Sequence, residues 1–562
     1  MQKKQAILVV ASLLVVVLSV TLAYFTAQII GKGKDVSVSS ADLKIIFTDS
    51  DGSISGSNIE PGKWNVTKTF TIENKSNETY KYNIVIQDLV NTFVTNGYLQ
   101  YKITSTNGGY NMTEFKDVPK SETATDTILA YSASIDVGVI QSYRVEFKYS
   151  NDESVDQSDD MGKTLSGKLF ITEGTIDPAM YAGYEKGTLG YQVLGNNTTR
   201  EVRTNFNGKF TKTNTETLFT STESIAGSTP VDVYYFAGDA KNNWVKFGKY
   251  KTDYIKYRGY YSATEPSFVD YDTMDECTSA SSWNYNCTEY KLANAGDDMY
   301  WRIIRTNHDK SIRLLYFGTS PSSADGHIGT SAFNTGYKSP KYVGYKYGED
   351  TSLDTIRNNT TDSTIKTFID SWYQNNLTDY TKYLSEDAVY CNDRELASGS
   401  TYSTTSSFNY ASNERIRTNE QPTYNCTNMS DAFSVNNTSA KLDYPVGLMT
   451  ADEKMYSGGN YYDHFDSSSY SWYNANSNGE CVTGSTQWWL ISPNVSESSS
   501  YSSNVMFGMS APYNGGLVTE RGGVLTPNAV RPVTSLKSCV KYLSGDGSAS
   551  NPYEIDYENS SC

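Results

Sequence analysis

From Val36 to about Gly174 apolar and polar residues alternate with period two, and this rhythm constrains the fold more than any other feature of the chain. In YKYNIVIQ the residues Tyr80, Tyr82, Ile84 and Ile86 share one parity, while Lys81, Asn83 and Gln87 hold the other. SYRVEFKYS repeats the pattern with Tyr143, Val145, Phe147 and Tyr149, and LSGKLFI with Leu165, Leu169 and Ile171. Successive strand side chains point to opposite faces, so such runs, divided by Gly, Asn and Ser turns, predict half-buried strands of an antiparallel sandwich over residues 36–174.

The rest is less regular. Residues 175–230 are polar with few apolar anchors and read as a linker or lead-in. From Val231 a new apolar rhythm begins: VDVYYFAGDAKNNWVKFGKY predicts two short strands around an Asn-rich turn, and Met299 to Gly318 predicts a hairpin turning at Asn307 to Lys310. One helix is expected in DSTIKTFIDSWYQNNL, where Ile365, Phe368, Ile369, Trp372 and Tyr373 recur at helical spacing and Asp362 or Ser363 can cap it. A second should open at TADEKMY, where Thr450 and Glu453 have capping-box spacing and Gly458 and Gly459 lie just beyond. The fold class is thus mainly β with α+β character, residues 231–562 forming the second domain.

Lys3 and Lys4 precede an apolar run from Ala6 to Phe25, long enough to span a bilayer and equally suited to a signal peptide. Residues 1–30 are read as a signal peptide removed on export, with a retained membrane anchor as the alternative; either puts the remainder of the chain outside the cell. All seven cysteines lie between Cys277 and Cys562. Export makes disulfides plausible, and the pairs expected are Cys277 with Cys287 and Cys391 with Cys426, an odd count leaving one thiol over. A net charge of −16 excludes nucleic acid as a partner.

The segment LAYFTAQ, with Tyr24 and Phe25, the Pro61-Gly62 turn and the strand ending in Glu73-Asn74 resemble the TasA/camelysin group of exported Gram-positive proteins. The resemblance implies a dedicated signal peptide, a β-sandwich, and self-assembly into matrix fibres through that sandwich. Further on, YWRIIRTNHDKSIRLLY, YCNDRE, YPVGLMTADE, WWLISPN, VRPVTSLK and GDGSASNPYEI resemble an uncharacterised surface domain of low-GC Gram-positive bacteria, similar in order to C-type-lectin-like and formylglycine-enzyme-like folds. The catalytic cysteine pair of those enzymes is not recognisable here.

Chemistry-bearing motifs are few. DSDGSISGSNIE carries acids at loop positions 1, 3 and 12, but Ser53 and Ile54 stand where a calcium loop needs a donor and glycine. Ser363 to Lys366 matches S-x-x-K without its K-T-G companion, and Ser363 sits where a cap belongs. Asp297-Asp298 and Asp452-Glu453 read as the starts of a strand and a helix. No catalytic residue, metal site or cofactor is assigned. A saccharide-binding surface is expected instead in GGNYYDHFDSSSYSWYNANSNGE, on Tyr461, Tyr462, Trp472 and Tyr473, because rings and amides together suit a sugar. The tandem Trp488 and Trp489 read as a core strand ended by Pro493. The role expected is structural and adhesive at the cell surface, with a glycan or host-surface ligand. The alternatives are a glycan- or cell-wall-acting hydrolase and a variable receptor-binding protein.

Overall fold

The computed structural model describes residues 36–39, 43–47, 53–55, 59–95, 97–173, 182–197, 199–206, 213–214, 217–260, 268–280, 285–459, 472–483, 487–496, 504–509, 521–560 and 562. The apolar run at the N-terminus and its reading as signal peptide or anchor lie outside them. Among the described residues no helix is long and apolar enough to cross a membrane. The fold is mainly β with several helices, and the chain divides into two compact units, Met1–Ala182 and Gly183–Cys562.

The first unit holds two antiparallel sheets. One runs in the order Val36–Ser39, Leu43–Phe47, Asn65–Asn74, Ile140–Tyr149, Leu99–Ser105, Lys116–Asp117; the other runs Ser53–Ser55, Leu165–Glu173, Tyr80–Asn91, Ser121–Ile135. Phe70, Ile72, Ile103, Val145 and Phe147 of one sheet share a core with Tyr82, Ile84, Ile86, Leu169 and Ile171 of the other, as the alternation requires. Burying each such side chain contributes about 1.5–3 kcal/mol. Asn83, expected on the solvent face, is buried. The ladder to Ser121–Ile135 slips register between Tyr82 and Ile84. The Asn83 amide fills that irregularity, accepting from the Ser132 backbone N–H at 2.7 Å and donating to Thr172 Oγ1 at 3.1 Å.

The second unit is organised on a ten-stranded mixed sheet. Asp298–Thr306 pairs with Trp244–Lys249, with Ile312–Tyr316 and, at one position, with Val231–Tyr235. The hairpin at Asn307 to Lys310 forms as expected. The strands Val231–Tyr235 and Trp244–Lys249 do not pair with each other, because Asp298–Thr306 lies between them. Val533–Leu536, from VRPVTSLK, closes against Ile312–Tyr316.

The linker expectation gives way at Gly183. Leu189–Asn196 is a helix capped by Thr188, with Leu189, Val193 and Leu194 buried, and Thr199–Val202 and Thr217–Glu223 extend the large sheet. The apolar spacing of LGYQVLGN is that of a short helix face, outweighing the polar residues around it. Both expected helices are present. Thr364–Asn376 is capped by Ser363, which accepts from the Lys366 backbone N–H at 3.3 Å, and Ala451–Tyr456 carries the Thr450–Glu453 capping box.

Trp488–Ser496 is buried at every residue, so both tryptophans are core. Trp489 Nε1 donates to the Ser331 carbonyl at 2.8 Å and Trp488 Nε1 to Asn474 Oδ1 at 3.3 Å. Pro493 does not end this strand: the ladder to Asn504–Met509 breaks register on either side of it and resumes to Ser496, a bulge absorbing the missing N–H. Disulfides join Cys277 to Cys287, Cys391 to Cys426 and Cys539 to Cys562, leaving Cys481 as the free thiol. Three disulfides are compatible with an extracellular location.

Candidate functional site

A groove of about 660 Å³ opens in the second unit between the strand Tyr254–Tyr260 and the helix Thr364–Asn376. The helix presents Thr364, Thr367, Phe368, Ser371, Trp372 and Asn375 to it. These positions recur at helical spacing along one stripe, beside the stripe of Ile365, Ile369 and Tyr373 that enters the core. From the opposite wall the Lys256 ammonium lies 5.3 Å from the Tyr254 ring centroid and 4.9 Å from that of Phe368, and is hydrogen-bonded to Asp272. Tyr254 is fixed by its hydroxyl, which donates to the Ile328 carbonyl at 2.7 Å. Half-buried rings at Tyr254, Tyr347 and Phe368 therefore alternate with exposed hydroxyl and amide groups at Thr335, Thr367, Ser371 and Asn375.

Against the same helix, Asp362, Asp370 and Asp443 bring carboxylate oxygens within 4.8 Å of one another, the one such acidic grouping among the described residues. The Lys366 ammonium lies among them, donating at 3.0, 2.6 and 2.7 Å respectively. The lysine already supplies the positive charge a metal ion would bring, so the group is an ion cluster that anchors the helix. Burial, with the like charges of Asp362 and Asp443, pushes the Asp370 carboxyl up to about 6 against the pull of Lys366.

Glu453 is more than the start of its helix. It accepts from Arg305 at 2.9 Å and pairs with Arg313 at 2.6 Å, while Arg305 also donates to Glu223 at 2.9 Å. Asp452 accepts twice from Arg415, at 3.0 and 2.9 Å. These groups enclose a void of about 20 Å³, room for one water. Its carboxylates are sealed and paired, out of reach of a substrate. Asp298 opens its strand and pairs with Lys249 at 2.7 Å.

Of the residues expected to bind saccharide, Tyr461 and Tyr462 lie outside the described residues. Trp472 and Tyr473 are each 2% exposed, which corrects the expectation of a solvated ring platform. Trp472 Nε1 donates to the Phe236 carbonyl at 3.2 Å, and the Tyr473 carbonyl accepts from the buried Arg531. The run is anchored by polar contacts to the core, a cause that composition does not reveal. The groove residues Tyr254 and Lys256 were not singled out from sequence, and Phe368 was read only as part of the apolar face of the helix.

No protein-family model and no curated protein matches this chain. Among solved structures, the crystal structure of class 5 fimbriae chaperone CfaA aligns with 47% of this chain and 90% of its own at 10% identity, with a TM-score of 0.08. A likeness at that score carries no argument.

Proposed function

We propose that the chain is exported and acts at the cell surface as an adhesive protein whose second unit holds a saccharide in the groove between Tyr254–Tyr260 and Thr364–Asn376. The observation that carries this reading is the interleaving of ring faces with hydroxyl and amide groups along one open groove. Support for the setting comes from the three disulfides, which suit an oxidising compartment. The sandwich with its TasA-like sequence is the part to which self-assembly is assigned, and the lectin-like order of the second unit agrees with recognition.

A panel of glycans and cell-wall polysaccharides, probed with the exported chain, tests the assignment. Binding is expected, and Phe368→Ala should weaken it about tenfold by removing a stacking face worth roughly 1 kcal/mol or more. A panel without binding, or binding indifferent to Phe368→Ala and Asn375→Ala, overturns it.

Hydrolysis has one observation in its favour: Asp272 and Asp362 both line the groove. Each, however, is paired with lysine, Asp272 with Lys256 and Asp362 with Lys346 at 3.1 Å and Lys366 at 3.0 Å. Glycoside hydrolysis needs two acids free to face the scissile bond, and both of these are engaged by lysine. Release of reducing sugar from a bound glycan, lost in Asp272→Asn, would reverse this preference.

A further inference from the structure

Among the described residues of the second unit seven arginines are buried: Arg258, Arg302, Arg305, Arg313, Arg357, Arg394 and Arg531. Five face carboxylates: Arg258 meets Asp270, Arg305 meets Glu223 and Glu453, Arg313 meets Glu453, and Arg357 and Arg394 share Asp431. Arg302 and Arg531 have no such partner among the described residues. Arg531 gives its hydrogen bonds to the carbonyls of Gly326, Tyr473 and Tyr316, which engage all three of its nitrogens.

Arg302 differs. It is 3% exposed, Nε donates to Asn243 Oδ1 at 2.6 Å and Nη2 to the Ala240 carbonyl at 2.7 Å. Nη1 and the second N–H of Nη2 donate to no described group. The guanidinium lies 4.2 Å from the Trp244 ring centroid and 5.6 Å from that of Trp472, and it lines a cleft of about 370 Å³ distinct from the groove. Asp239, also on the cleft, is paired with Lys241 at 2.7 Å. An unpaired charge held out of water is destabilising, and a ring contact offsets part of that. Burial and the repulsion of Arg531, only partly countered by Asp239, lower the hold of Arg302 on its proton.

An anion would complement this charge. The open end of the guanidinium presents parallel N–H groups of Nη1 and Nη2, the fork that a carboxylate accepts from two sides. Asp239 on the wall penalises a dianion more than a monoanion. The volume suits a single sugar-sized ring, and Lys241, Ser477 and Asn478 at the exposed rim can bond hydroxyls. We propose that this cleft binds a sugar acid, its carboxylate accepting from Arg302 and its hydroxyls meeting the polar rim. The proposal does not rest on the saccharide reading of the groove.

The test is titration of the intact exported chain with glucuronate and with N-acetylneuraminate, monitored by tryptophan fluorescence and calorimetry. Binding of at least one acid is expected, with glucuronate methyl ester and glucose at least tenfold weaker. Arg302→Lys, which keeps the charge and loses the fork, should weaken the acid tenfold or more. The ester comparison is made on the unaltered protein, so it decides even if Arg302→Lys does not fold. Failure of both acids to bind, equal binding of acid and ester, or inorganic phosphate binding more tightly than either acid overturns the proposal.

Discussion

Lys366 is fully buried, with three aspartates around one ammonium, and the charges do not balance. Asp370 is the carboxyl pushed up, to about 6. An unfolded aspartate releases its proton near 4, so between about pH 4 and pH 6 the folded state holds more protons than the unfolded one. Stability from this residue is therefore greatest below pH 4, falls as pH rises through 6, and is flat above. Asp370→Asn removes that slope. Urea midpoints measured at pH 4.5 and pH 7 should show the unaltered chain losing more stability over this interval than the variant, and parallel behaviour would refute the assignment. Ser363 was legible as a cap because its partner, Lys366, lies three residues away. The cluster was not: Lys366 and Asp443 are 77 residues apart, and nothing local announces that the two acids and the lysine on the helix side meet a third acid.

Among elements, both helices expected from apolar spacing and capping formed, since these signals act within a few residues of themselves. Trp488–Ser496 shows the limit of strand alternation. Consecutive side chains do point to opposite faces, yet both tryptophans are buried because protein covers both, as an unbroken apolar run allows. Arg302 was likewise invisible: YWRIIRT reads as a strand, and no local pattern distinguishes an arginine that meets a glutamate from one that opens on a cleft. Two of the three disulfides were legible. Cys277–Cys287 and Cys391–Cys426 join neighbours in the cysteine order, whereas Cys539–Cys562 passed unread with Cys481 next in line. Bridges closing loops with separations of 10 and 35 residues should differ in effect. On chain-entropy grounds the shorter stabilises by about 3 kcal/mol and the longer by about 4 kcal/mol. Paired Cys→Ala substitutions, compared by guanidinium unfolding, should therefore rank Cys391–Cys426 as the more costly loss. The opposite order would mean that native-state packing outweighs loop closure.

At the scale of the whole molecule, the sandwich was readable because alternation is periodic, and a sandwich satisfies it with one face in and one face out. Its partner was harder. The large sheet of the second unit gathers strands from Thr199 to Ile555, so contacts distant in sequence define it, and its first helix and strands passed for linker. This division has a thermodynamic consequence. The sandwich core draws on residues from Ile45 to Ile171, while all seven cysteines lie at Cys277 or beyond. A unit without covalent cross-links should be indifferent to reductant; a unit held by three should not. Scanning calorimetry of the full chain is expected to give two transitions, one matching residues 36–182 expressed alone. Under reducing conditions that transition should stay in place, while the other falls by at least about 10 °C as its disulfides open. A single transition that moves as a whole would mean that the two units unfold together, and the sandwich would then have to be treated as part of one cooperative molecule rather than a free-standing module joined to a cross-linked one.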